Sequence, residues 1–199
     1  KENRVVIISG RQKDVLEQCF GELNIGLVAE HGALIRHVDS DWETIEPLET
    51  AWMEKILPIL EHFVDRTPGS FILQKEFSIV WNYRNVDEKL ASIRSIELKN
   101  SLQNLTTNLN LNILEVEGSK ILEIKQSGIN KARAITTWLD KKEWDFILAA
   151  GDDITDEPVF EILPEHGFSV KVGFSPSEAK WRVDNAQEMQ LILKRLAQN

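Results

Sequence analysis

Phe146-Ile147-Leu148-Ala149-Ala150-Gly151-Asp152-Asp153-Ile154-Thr155-Asp156-Glu157 passes from an apolar block into four carboxylates within six residues. A short apolar run that stops at glycine reads as a strand buried in a parallel sheet, and such sheets present ligand-binding loops at the carboxyl ends of their strands. Two earlier segments repeat this design. Val5-Val6-Ile7-Ile8 ends in Ser9-Gly10, with a helix predicted from Lys13 to about Phe20, and Gly26-Leu27-Val28-Ala29 runs into Glu30-His31-Gly32. Three such strands predict an α/β fold.

The middle of the chain differs. Met53, Ile56, Leu57, Leu60, Phe63 and Val64 recur at helical spacing around Pro58, an expected irregularity, and Thr67-Pro68-Gly69 closes that helix. Ser78, Val80, Asn82 and Arg84 then alternate with Ile79, Trp81 and Tyr83, as in an antiparallel sheet covered by helices on one side. A polar stretch from Lys99 to Asn112 leads into an expected hairpin, Ile113 to Val116 and Ile121 to Lys125, turning at Glu117-Gly118. Residues 46–126 therefore read as an α+β lobe inserted into a core made of 1–45 and 127–199. In that core Ile129, Ala132, Ile135 and Leu139 predict a helix over Asn130 to Lys141, and Met189, Ile192 and Leu196 a closing helix. Asp39-Ser40-Asp41-Trp42-Glu43, after the alternating Leu34 to Val38, reads as a hairpin turn.

Composition narrows the function classes. The 199 residues are 42% hydrophobic with a formal net charge of −9 and no run of Lys and Arg, which argues against a nucleic-acid partner. Cys19 is the single cysteine, so no intramolecular disulfide or cysteine-based zinc site exists and a reducing compartment fits. No apolar run approaches the roughly 20 residues that span a bilayer. A cytoplasmic location with no membrane partner is expected.

The carboxylates after Gly151 fall into two groups. Asp156 and Glu157 suit the first turn of a helix, where a cap is worth about 0.5–2 kcal/mol. Asp152 and Asp153 precede that helix, and adjacent ionised carboxylates repel unless a cation joins them, for which Mg²⁺ is the oxygen-seeking candidate. Ser9-Gly10-Arg11 is either an ordinary strand-to-helix turn or a phosphate cradle of hydroxyl, backbone N–H groups and a forked guanidinium. Lys131, at the start of its helix one strand unit before the aspartates, could offset the charge of a phosphate and of those carboxylates.

Val6-Ile7-Ile8-Ser9-Gly10-Arg11, Ala29-Glu30-His31-Gly32, Trp81-Asn82-Tyr83-Arg84, Gly128-Ile129-Asn130-Lys131 and Gly151 to Glu157, in that order, resemble the trehalose-6-phosphate phosphatases of the haloacid dehalogenase superfamily, as in bifunctional synthase/phosphatase proteins. The resemblance implies a three-layer α/β core with a parallel sheet, an inserted cap over 46–126, Mg²⁺ as cofactor, trehalose 6-phosphate as substrate and a fused or associated synthase domain as partner. Carried over by position, Ser9 and Lys131 contact the transferring phosphoryl group, Asp152 binds Mg²⁺, and Asp153 supports the metal's water or Lys131. Gly10, Arg11, Glu30 and His31 line the core side of the substrate site, and Lys75, Arg84 and Glu123 the cap side. For His31 a core histidine bonded to backbone is the competing reading, whereas an ionised Glu30 at a strand end needs a partner.

The chain also departs from the family pattern. The family's Asp-x-Asp-x-Thr, which supplies the nucleophile and the acid/base, should lie upstream of Ser9, yet the eight residues there contain no aspartate. The chain thus reads as a domain without its central strand, with two sheet edges left open and phosphatase activity reduced to traces. Asn82 stands where the family has His, Ala132 where it has Gly, Lys125-Gln126 where it has Arg-Pro, and Gln74 where it has a carboxylate. These changes leave two alternatives: a non-catalytic, sugar-phosphate-binding or regulatory pseudo-phosphatase, and a phosphatase for another sugar phosphate.

Overall fold

The computed structural model describes residues 3–115, 118–140 and 143–198. Val116 and Glu117 of the expected hairpin and Lys141 of the expected helix lie outside them. The chain divides into two compact units, Lys1–Ile129 and Asn130–Asn199.

In the first unit β1 (Val6–Ile8), α1 (Lys13–Phe20) and β2 (Gly26–Ala29) follow one another, with the two strands parallel and Val6 opposite Gly26. β3 (Leu34–Arg36) and β4 (Trp42–Thr44) extend this sheet antiparallel in the order β1-β2-β3-β4. Asp39, at φ 60°, lies in the turn between them, as the Asp39 to Glu43 stretch predicts. Leu16 of α1 packs with Leu27, Ala29, Leu34, Phe77 and Ile129 as the core behind β2.

A second sheet in the same unit contains β5 (Phe71–Gln74), β6 (Ser78–Asn82), β7 (Leu111–Glu115) and β8 (Ile121–Gln126), antiparallel throughout in the order β5-β6-β8-β7. Directly opposite residues share a face. Ile79 pairs with Ile124 and Trp81 with Leu122, and that face packs into one core with Ile56 and Leu60 of α2 (Met53–Asp65) and Leu98 and Leu102 of α3 (Glu88–Asn108). The other face carries Ser78, Val80, Glu123 and Lys125. α2 continues through Pro58.

The polar stretch from Lys99, to which pattern assigned no element, is helical to Asn108. The buried stripe of α3 is Ala91, Ser95, Leu98, Leu102 and Thr106. Its spacing is helical, but Ser95 and Thr106 dilute the apolar signal, and tertiary packing supplies the stability that propensity lacks. Asp87 starts the helix by accepting the N–H groups of Lys89 and Leu90 through Oδ1 at 3.1 and 3.2 Å.

The second unit holds β9 (Leu148–Gly151), β10 (Phe168–Val172) and β11 (Trp181–Val183), parallel in the order β11-β10-β9. α4 (Lys131–Leu139) is capped by Asn130, whose Oδ1 accepts the Arg133 N–H at 2.9 Å, and it buries Ala132, Ala134, Ile135 and Trp138. α5 (Glu157–Ile162) follows β9, and α6 (Ala186–Ala197) follows β11. Met189 of α6 is buried, but Ile192 and Leu196 are exposed, because the helix packs on β11, the last strand of a three-stranded sheet.

The expectation that Phe146 to Ala150 is a fully buried strand needs correction. Phe146 is 50% exposed and the strand begins only at Leu148. Among the described residues β9 is bonded to β10 alone, as β1 is bonded to β2 alone, whereas β2 has a neighbour on each side and is buried throughout. An apolar strand paired along one edge keeps the composition of an interior strand without its cover. No described helix is long and apolar enough to cross a membrane.

Candidate active site

At the carboxyl ends of β1 and β2 two loops are held together by backbone. Glu30 N–H donates to the Arg11 carbonyl and His31 N–H to the Ser9 carbonyl, both at 3.0 Å. This pairing places Glu30, His31 and Gly32 in succession at positive φ, 47°, 59° and 110°. For non-glycine residues that conformation costs about 1–2 kcal/mol each, and it aims the two side chains in fixed directions. The His31 ring lies over Gly10, where a Cβ would come within 2.3 Å of Nε2. Ser9 does not cap α1, whose N-cap residue is Gln12. Its Oγ instead accepts the Arg11 N–H at 3.2 Å, which leaves its own hydroxyl hydrogen free to donate.

Three side chains meet around Glu123. Its Oε1 accepts Lys75 Nζ at 2.7 Å and Ser78 Oγ at 2.6 Å, and its Oε2 lies 3.2 Å from His31 Nε2. Lys75 Nζ also donates to the Gly10 carbonyl at 2.8 Å, which ties the turn between β5 and β6 to the Ser9 loop. Burial of Glu123 acts to raise its pKa, but His31 and Lys75 outweigh burial and hold the carboxyl down to about 2. An ionised carboxylate only accepts, so the proton between Glu123 and His31 sits on Nε2. Nδ1 is buried with no hydrogen-bond partner among the described residues. His31 therefore pairs with a side chain and not, as the competing reading has it, with backbone.

Glu30 accepts the N–H groups of Glu76 and Phe77 at 3.1 and 2.9 Å, a backbone partner for its carboxylate. Burial still pushes its pKa up, since those two amides offset desolvation only in part. Lys125, on the Glu123 face, is buried and donates to the Ile129 carbonyl, and desolvation lowers its pKa. Arg84 is not in this cluster. It is exposed in the turn that follows β6, and its Nε donates to the Ser119 carbonyl at 2.9 Å.

In the second unit the acidic stretch divides differently from its reading in sequence. Asp153 Oδ1 accepts the Ile154 N–H at 2.6 Å, and Asp156 Oδ2 accepts the Asp153 N–H at 3.0 Å, a reciprocal capping box on the turn that leads into α5. Asp156 also takes Lys131 Nζ at 2.8 Å, so the lysine is paired three residues beyond the expected aspartates. Asp152 is exposed, and its carboxylate has no partner among the described residues. A residue not singled out in the sequence organises this loop from below. Lys171 on β10 is 1% exposed, and its Nζ donates to the Asp152 carbonyl at 3.0 Å and to Glu157 Oε1 at 3.3 Å. Glu157 Oε2 accepts Ser177 Oγ and the Glu178 N–H at 2.9 and 2.8 Å. No sequence signal marked Lys171, since the alternation of Phe168-Ser169-Val170-Lys171-Val172 sets it with Ser169 on the polar side, and only the burial of both shows that this side is covered.

The family is decided by a match to the family model described as trehalose-phosphatase, which spans residues 1–189. The chain belongs to the trehalose-phosphatase family. It is 38% identical over 98% of its length to a bifunctional trehalose-6-phosphate synthase/phosphatase of Thermoproteus tenax, of which it covers 26%. The chain thus spans about a quarter of the length of the first curated relatives it matches. Among solved structures, the trehalose-6-phosphate phosphatase C-terminal domain of C. albicans superposes with a TM-score of 0.86 at 24% identity, over 98% of this chain and 78% of that one, a likeness of fold. A trehalose-6-phosphate phosphatase of Aspergillus fumigatus has a TM-score of 0.67 at 31% identity, over 98% of this chain and 77% of that one.

Trehalose-phosphatases are phosphoric monoester hydrolases, and their haloacid dehalogenase relatives generally use Mg²⁺. The donor set here suits that ion only in an open arrangement. No three His, Cys, Asp or Glu residues converge among the described residues, and Asp153 already serves the capping box, so Asp152 is the carboxylate left to hold a cation. Mg²⁺ keeps several waters and often takes one or two carboxylates plus substrate phosphate, so a single free aspartate is compatible with it and an all-protein cage is not. Of the positions that the trehalose-phosphatase resemblance marks in the first unit, Gly10, Glu30, His31, Lys75 and Glu123 lie in one bonded cluster of loops, and Ser9 and Arg11 at its border. In the second unit Lys131, Asp152 and Asp153 occupy one strand end.

Proposed function

We propose that this chain is part of a Mg²⁺-dependent phosphatase that hydrolyses trehalose 6-phosphate to trehalose and phosphate, with 46–126 as its cap lobe and 1–45 and 127–199 as its core. The observation that carries this reading is the buried Lys75–Glu123–His31 cluster on the polar face of the second sheet, bonded to the Ser9-Gly10-Arg11 loop. A carboxylate offers about four acceptor directions, and Lys75, Ser78 and His31 use three, so one remains for a sugar hydroxyl. The Ser9 hydroxyl hydrogen and the exposed Arg11 guanidinium are donors for phosphoryl oxygens. Arg84 reaches a more distant part of the ligand.

In the second unit Lys131, steadied by Asp156, supplies the cation that offsets phosphoryl charge, and Asp153 shapes the loop that presents Asp152. Asp152 would hold Mg²⁺, which when bound polarises a phosphoryl oxygen. No residue of the 199 matches the nucleophile of an Asp-x-Asp-x-Thr motif, so the chain alone releases no more than traces of phosphate. A synthase domain is the proposed partner, after the printed name of the Thermoproteus tenax relative.

The test is phosphate release from trehalose 6-phosphate, with and without Mg²⁺, by a protein that joins these residues to an intact Asp-x-Asp-x-Thr. Metal-dependent turnover that Asp152→Ala abolishes is expected. Binding without turnover would replace the enzyme by a sugar-phosphate sensor, and faster release from another sugar phosphate would move the specificity.

A further inference from the structure

On the helical side of the second sheet, opposite the face that carries Glu123, a cavity of about 720 Å³ opens between α2 and α3. Its volume lies within the roughly 300–1,000 Å³ of small-molecule sites. Arg66, just past the end of α2, and Arg94 of α3 line it with His62, and Glu97 is the one carboxylate in its lining. Glu97 Oε2 takes Arg94 Nη1 at 2.6 Å. Among the described residues Arg94 Nε is buried with no hydrogen-bond partner, and the guanidinium of the exposed Arg66 has none. The lining thus holds two guanidinium groups and one carboxylate, which Arg94 alone engages, in a chain whose formal net charge is −9. A buried N–H without a partner calls for an acceptor, and guanidinium forks match phosphate oxygens. Pro58, Ile59 and Phe63 supply an apolar wall, which a bare inorganic ion would leave unused.

We infer that this cavity is a second ligand site, separate from the Glu123 face, for an organic phosphate. Its phosphate lies between Arg66 and Arg94, and its flat or apolar body lies against Ile59 and Phe63. Asn100 stands at the lining and is exposed, so a larger residue there blocks the cavity without disturbing the core.

The experiment is calorimetric titration of the full chain with phenyl phosphate and with inorganic phosphate. Phenyl phosphate is expected to bind roughly tenfold more tightly than inorganic phosphate. Arg66→Gln and Asn100→Trp should each weaken phenyl phosphate roughly tenfold or more. Absence of binding up to about 10 mM, or equal binding by wild type and both cavity variants, would overturn the assignment.

Discussion

The Glu123 cluster and the Asp152 strand end both collect charge, but they treat it in opposite ways. Glu123 is buried with Lys75, Ser78 and His31 on its two oxygens, and those partners come from two other segments of the chain, the His31 loop and the Lys75–Ser78 turn. Asp152 is exposed beside residues adjacent to it in sequence, and its carboxylate has no partner among the described residues. A buried charge must be matched by the protein, because desolvation penalises every unpaired group. An exposed one is matched by water and stays available to an incoming cation. The first arrangement can hold a ligand in one orientation, and the second can recruit an ion without cost to the fold.

The largest effect should come from Glu123→Ala, which strands Lys75 and His31 in a buried site. Removing one partner of such a pair costs about 3–5 kcal/mol, read as a lower urea midpoint at pH 7. The same carboxylate sets an acid limb. Its pKa falls from 4.5 to about 2 on folding, so its contribution is complete above 4.5 and disappears as pH drops toward 2. Glu30 has the opposite sign: its raised pKa favours the fold below the ordinary value, and that contribution is lost as pH rises through the shifted pKa. Urea midpoints of wild type should therefore fall between pH 4.5 and 2 more steeply than those of Glu123→Gln. An unchanged slope would mean that His31 and Lys75 do not hold the carboxyl down.

Lys171→Met comes next. It deprives the Asp152 carbonyl and Glu157 of a buried donor, and about 2–3 kcal/mol of stability should be lost. Gly10→Ala should cost about 1–2 kcal/mol by forcing the His31 ring aside, and the ring resonances of His31 should shift with it. The smallest effect is expected for Asp152→Asn, within about 0.5 kcal/mol of wild type, since that side chain has no partner to lose. A large destabilisation there would make Asp152 a structural residue and erase the contrast with Glu123.

Much of the fold could be read from pattern. The helix at Lys13–Phe20, the turn at Asp39 and the apolar strand β2 follow from spacing and turn chemistry. α3 could not, because Ser95 and Thr106 interrupt its stripe, and packing against Ile79 and Trp81 decides it. The site was legible as a set of residue types but not as a set of bonds. Lys131 was expected near Asp152 and Asp153 and instead bonds Asp156, one helical turn further on. Lys171 went unnoticed because a lysine in a strand reads as an outward residue until burial shows otherwise.

The sequence by itself determined the local elements and the family, since periodicity, caps and the five ordered motifs lie within short stretches of chain. Only the tertiary structure decided which charges are satisfied. His31 and Glu123 lie 92 residues apart in sequence and 3.2 Å apart in the fold, and desolvation acts on a group according to everything packed around it. No local pattern encodes that environment.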